Sequence, residues 1–205
     1  MLDQILQRHI DLVDQINLAI NGHGYAAVDK ADLDIEKNTL YEGYFMRSFI
    51  SFERCLEEIF VHFACGGQSL SGAMANCRLI NCDPSTVRKI LKQGNNFVDW
   101  ANMEIVRERA STFFVDGKPF IDPLMGKSSD LSHLQKIRNR ISHDSVESKV
   151  LYDVVLVDIF HTKPIFEMSP GQILRSRRKK SPIISMQSHY MGAMTDVLAA
   201  ICEKP

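Results

Sequence analysis

Residues Thr39–Ala64 read TLYEGYFMRSFISFERCLEEIFVHFA, and this stretch decides the fold. Its apolar side chains are Leu40, Tyr44, Phe45, Phe49, Phe52, Leu56, Ile59, Phe60 and Phe63, which keep the spacing of one helical face. Thr39 with Glu42 three residues on has the pattern of a capping box, which opens a helix by satisfying its first backbone N–H groups. Gly66-Gly67 supplies a stop. The spacing predicts one long helix whose aromatic stripe needs other helices to bury it.

Working outward, most of the chain shows the same period. Ile5, Ile10, Leu12, Val13, Ile16 and Ile20 mark an N-terminal helix that Asn21-Gly22 closes, and a polar stretch runs on to Asn38. Asp83-Pro84 opens a short helix through Val87, Ile90 and Leu91, with proline tolerated in the first turn. Gly94 breaks it, and a further helix from about Asn96 carries Phe97, Trp100, Val106 and Phe113. Asp116–Ser128, with Gly117, Pro119, Pro123 and Gly126, reads as a loop. Ser129 caps a helix from Asp130 to about Ser145. Val150–Phe160, VLYDVVLVDIF, is rich in β-branched residues and fits a helix or a strand, so an irregular or extended excursion is expected near 150–168. Ser169-Pro170-Gly171 opens a short helical turn, and Ser188–Cys202 closes the chain as a helix. The expectation is an all-α helical bundle in a single domain over 1–205, with its core about 38–202 and the helix of residues 1–20 packed on it.

Composition narrows the function. The 205 residues are 45% apolar and 24% charged, an ordinary globular mix. Lys and Arg total 24 against 25 Asp and Glu, for a net charge of −1, which excludes binding nucleic acid by bulk positive charge. No apolar run reaches the roughly 18 residues of a membrane span. The start, MLDQILQRHIDLVDQ, lacks the basic-then-apolar order of a signal peptide, so a cytoplasmic protein is expected. Cys55, Cys65, Cys77, Cys82 and Cys202 are odd in number and form no CxxC pair, as for reduced thiols in a reducing compartment. With no HExxH, no zinc-spaced Cys/His cluster and no glycine-rich phosphate loop, neither metal nor cofactor is expected.

The chemistry concentrates in Leu131–Ser145, LSHLQKIRNRISHDS. At about 100° per residue, Leu134, Ile137 and Ile141 share a core stripe, while Asn139 and His143 are neighbours on nearly the opposite face. Arg138 stands about 140° from His143 on the same helix, so the two converge only if the helix ends or bends near Ser142, or if a second copy faces the first. An imidazole exchanges protons near neutrality, a guanidinium offers phosphate a fixed fork of donors, and Asn139 is placed to orient either one. Such a set suits cleavage of an RNA phosphodiester without a metal. A base removes the 2′-OH proton, a cation stabilises the phosphorane, and an acid protonates the leaving oxygen. One chain brings a single such histidine; a two-fold dimer brings two.

Arg138-Asn139-Arg140-Ile141-Ser142-His143 resembles the signature of the HEPN superfamily (higher eukaryotes and prokaryotes nucleotide-binding): Arg, a polar residue that is often Asn, three more residues, then His. The segment Ser169-Pro170-Gly171-Gln172-Ile173-Leu174 is further similar to the HEPN subgroup associated with RiboL-PSP proteins. The resemblance implies a helical bundle that dimerises with its motif helices apposed over one composite cleft. It also implies a metal-independent endoribonuclease, often a toxin or antiviral effector, with Arg138 and His143 as the catalytic pair and Asn139 setting their geometry. Its partners would be RNA, a second copy, and an antitoxin or regulatory protein. Some toxins of the family carry a Tyr two residues after the His for modification by a partner enzyme; Ser145 stands there, which speaks against that route. Other members bind RNA, nucleotide or protein without cleaving, and that is the alternative.

Further candidates lie outside the motif. Arg140 and the run Arg175, Arg177, Arg178, Lys179 and Lys180 are candidate contacts to an RNA backbone. Trp100 and the phenylalanines keep helical spacing, as core residues do, and His133, one turn before Ile137, reads as a surface residue.

Overall fold

The computed structural model describes residues 1–21, 35–79, 82–92, 98–162, 164–178 and 184–203. Among these the architecture is all-α: α1 Leu2–Asn21, α2 Ile35–Ala64, α3 Pro84–Lys92, α4 Met103–Phe113, a 3-10 turn at Val115–Gly117, α5 Ile121–Gly126, α6 Ser128–Ser142, α7 Val146–Phe160, α8 Pro170–Arg175 and α9 Met186–Glu203. Strand-type pairing among the described residues is limited to isolated bridges, Gln68 with Met74, Cys77 with Phe114 and Arg177 with Ser185. No helix among the described residues is long and apolar enough to cross a membrane.

The chain forms two compact units, neither contiguous in sequence: Met1–Asp11, Ser51–Leu131 and Met194–Pro205 make the first, Leu12–Ile50 and Ser132–Ala193 the second. The first is organised around Phe60, fully buried on α2. Its ring lies 4.9–5.5 Å from those of Trp100, Phe113, Phe114 and Phe120, mostly edge-to-face, the arrangement the ring quadrupole favours. Trp100 is therefore a core residue, as its spacing indicates, although it precedes α4 rather than lying on it. The helix is instead opened by Asn102, whose side chain accepts the Glu104 N–H. Asp83 caps α3 as expected, accepting the N–H groups of Ser85 and Thr86; the hydroxyls of these two residues, and then their N–H groups, hold its carboxyl below the usual carboxylate range.

In the second unit Tyr41, Phe45 and Phe49 of α2, Leu134 and Ile137 of α6, Tyr152, Val155 and Leu156 of α7, and Tyr190 and Met191 of α9 form the core. The structure corrects the expected boundaries here. Thr39 does not cap α2, which already runs from Ile35; its hydroxyl donates to the Ile35 carbonyl one turn back. Glu42 does not close a capping box either, because its Oε1 accepts the Gly171 N–H at 2.8 Å. Val150–Phe160 lies within α7 and is not a strand. Ser145 caps that helix by accepting the Ser148 N–H while Ser148 returns a bond to the Ser145 N–H, and this reciprocal cap starts the helix despite the β-branched run. Irregular backbone begins only after His161, a left-handed residue that ends α7. In the first unit, Ile121–Gly126 is a helical turn inside the expected loop, with Pro123 in its first turn, where the missing N–H costs nothing. Gly94, Asn96 and Phe97 lie outside the described residues.

Candidate active site

Every residue singled out for function belongs to the second unit. Leu134 and Ile137 are fully buried and anchor α6, with Ile141 only partly covered. The helix ends at Ser142, three residues earlier than expected. His143 thus sits at the corner between α6 and α7, and its backbone is held from both sides. Its N–H donates to the Asn139 carbonyl at 2.9 Å, the last helical bond, and its own carbonyl accepts from the Ser148 hydroxyl at 2.7 Å. The imidazole itself is exposed and makes no hydrogen bond among the described residues. Position is therefore fixed by the main chain while the ring stays open to solvent.

Five residues back, Arg138 is half-buried, and its Nη1 donates to Asn139 Oδ1 at 3.2 Å. The Arg138 Nε is buried and has no partner among the described residues. An unsatisfied buried donor costs about 1–3 kcal/mol, which a ligand oxygen would relieve. Arg140 points elsewhere, to Asp144 Oδ1 at 2.7 Å. That carboxylate is almost fully exposed, and such pairs contribute at most about 1 kcal/mol, so Arg140 is readily surrendered to another anion.

The basic run divides. Arg175 is buried and donates through Nη1 to Asn38 Oδ1 at 2.9 Å, so it ties α8 to the start of α2 rather than presenting its charge to solvent. Arg177 is exposed and Arg178 half-buried, beside a short backbone pairing in which the Arg178 N–H donates to the Ile184 carbonyl. Lys179 and Lys180 lie outside the described residues.

The sequence comparisons bear on none of these residues. No family model, no curated protein and no solved structure matches the chain. The site must be judged on its chemistry.

Two features escaped the sequence reading. His133 is not a surface residue: it is buried, with Nδ1 3.1 Å from the Tyr190 hydroxyl and Nε2 3.1 Å from Asp158 Oδ2. Tyr190 comes from α9 and Asp158 from α7, so nothing local to His133 could have announced them. Tyr152 is buried with its hydroxyl unpartnered among the described residues, and burial first, then the nearby Glu42, pushes its phenol well above the ordinary value. Burial likewise raises the Glu42 carboxyl, against the lowering effects of the Gly171 N–H and the Arg140 charge. No group of three or more His, Cys, Asp or Glu side chains among the described residues is placed to share a metal ion.

Proposed function

We propose that this chain is a metal-independent endoribonuclease of the HEPN type, acting as a homodimer through Arg138, Asn139 and His143. The observation that carries the reading is the end of α6 at Ser142, directly inside the motif. It leaves the His143 ring exposed on a held backbone, five residues after an arginine that donates to Asn139. In the reaction a His143 imidazole takes the 2′-OH proton, and O2′ attacks the adjacent phosphorus. The Arg138 guanidinium balances the growing negative charge, and the 5′-oxygen leaves with a proton from a second imidazole. A positioned histidine supplies about 10²–10⁴-fold of such a rate. Arg140, Arg177 and Arg178 are the candidate backbone contacts.

A second copy would provide the second histidine. Support comes from α7, which comes directly after the motif and leaves Val146, Val150, Leu151, Val154 and Val157 exposed at helical spacing. The four valines fall within about 80° of one another and Leu151 lies beyond their edge, an exposed apolar face that supports a covering partner. A toxin–antitoxin or antiviral role is the biological setting that the motif resemblance suggests.

The test is incubation of the purified protein and His143→Ala with mixed cellular RNA in excess EDTA. Cleavage by the parent alone is expected, with RNA binding unchanged in the variant. If neither protein cleaves although both are folded and dimeric, the ribonuclease reading fails. A non-catalytic module would then be indicated by loss of binding in Arg138→Ala.

A further inference from the structure

A cavity of about 550 Å³ lies wholly within the first unit and includes none of the motif residues. Three helix faces build it, each at the spacing of successive turns. Gln4, Ile5 and Arg8 come from α1; Glu58, Val61, His62 and Cys65 from α2 and its end; Pro84 and Arg88 from α3. The volume falls within the roughly 300–1,000 Å³ of sites that enclose a small organic molecule. Ile5 and Val61 are buried and, with Pro84, provide an apolar wall.

The polar part of the lining is cationic. Glu58 is occupied twice, by Arg8 and by Arg54, and Glu57 accepts from Arg88 Nε at 3.1 Å. Among the lining side chains, Arg8 and Arg88 carry two positive charges against the single carboxylate of Glu58. Arg88 donates to Glu57 through Nε, and Arg8 engages Glu58 and the Cys55 thiol, so each guanidinium, with five donors, retains some for another acceptor. Both side chains are about half exposed, which leaves them accessible from the cavity mouth. His62 adds an imidazole, its Nε2 engaged with the Gln68 carbonyl and its buried Nδ1 unpartnered among the described residues. The ring lies so close over Gly67 that a Cβ there would fall 2.2 Å from it, and the glycine is what allows His62 to line the cavity.

We propose that this cavity binds a small organic acid, its anionic group on Arg8 and Arg88 and its apolar body against Ile5, Val61 and Pro84. A carboxylate and a phosphate monoester share the required chemistry. An amine of the same shape meets the excess positive charge and is rejected.

The full chain is titrated calorimetrically with phenylacetate, phenyl phosphate and phenethylamine, which share one ring and differ in the charged group. Saturable binding of at least one acid and none of the amine is expected, and the tighter acid identifies the head group. Arg88→Ala should weaken that binding at least tenfold. Gln4→Trp, at an exposed position on the rim, should weaken it comparably by filling the space while leaving both arginines in place. Circular dichroism establishes that each variant is folded. Equal binding of acid and amine, binding indifferent to both substitutions, or no binding of either acid at millimolar concentration would overturn the proposal.

Discussion

His9 shows how much a single side chain can weigh. It is fully buried on α1, with Nδ1 3.0 Å from the Ser51 hydroxyl and Nε2 unpartnered among the described residues. Burial depresses its pKa from 6.5 to about 4, since the charged ring would lose its hydration. The unfolded chain then binds the proton more readily than the folded one. Stability is therefore fully present above pH 6.5 and is lost as pH falls through 4. Two and a half pH units correspond to about 3 kcal/mol as an upper limit. Replacing His9 by Leu should flatten the decline in melting temperature between pH 7 and pH 4.5, measured against the parent. An unchanged slope would mean that other groups set it. At this scale the sequence was informative about apolar burial. Its helical spacing marked Trp100 as a core residue, and Trp100 is buried. The sequence was misleading for His133, whose two partners are supplied by other helices.

At the scale of elements, the interiors of helices were legible and their ends less so. Most of the apolar row of α2 is buried, from Phe45 to Phe63, and so are Ile5, Val13, Ile16 and Ile20 of α1, while Ile10, Leu12, Leu40 and Tyr44 are only partly covered. Ends depend on which polar group reaches a free backbone donor, and two groups often compete for it. Thr39 and Glu42 have the pattern of a cap, yet one turns back along α2 and the other bonds to α8. The short α8 was legible because its signals are its own. Ser169 accepts the Gln172 N–H, Gln172 returns a bond to the Ser169 N–H, and Pro170 takes the first turn. Gly171 has a reason that no local pattern carries. A Cβ at that position would lie 2.4 Å from the Asn38 carbonyl oxygen, inside any tolerated contact. Gly171→Ala must therefore push α8 off the start of α2, stretching the Glu42 and Arg175 bonds as it goes. It should destabilise the protein by about 1–3 kcal/mol, the usual cost of overpacking, measured by urea unfolding. A neutral result would show that the two segments part without cost.

For the molecule as a whole, the exposed stripe on α7 is the feature that a lone chain leaves unexplained. Val146 is 76% exposed, and Val150, Leu151, Val154 and Val157 continue the row. If a second copy covers it, the double substitution Val150→Glu, Val154→Glu should convert a dimer to a folded monomer by light scattering and abolish RNA cleavage together with it. A variant that remains dimeric would place the dimer contact elsewhere. The motif was legible because its residues are adjacent in the chain. Whether the α6 helix would carry His143 onward or release it at a corner was open in the sequence, and Ser145 decided it by capping α7. By itself, then, the sequence determined the all-α class, because helical period is written in neighbouring residues. Only the tertiary structure decided which polar groups are spent inside. Arg175 meets Asn38 across 137 residues, Glu42 meets Gly171 across 129 and His133 meets Tyr190 across 57. A buried polar group must find a partner, and the fold alone determines which distant residue is within reach.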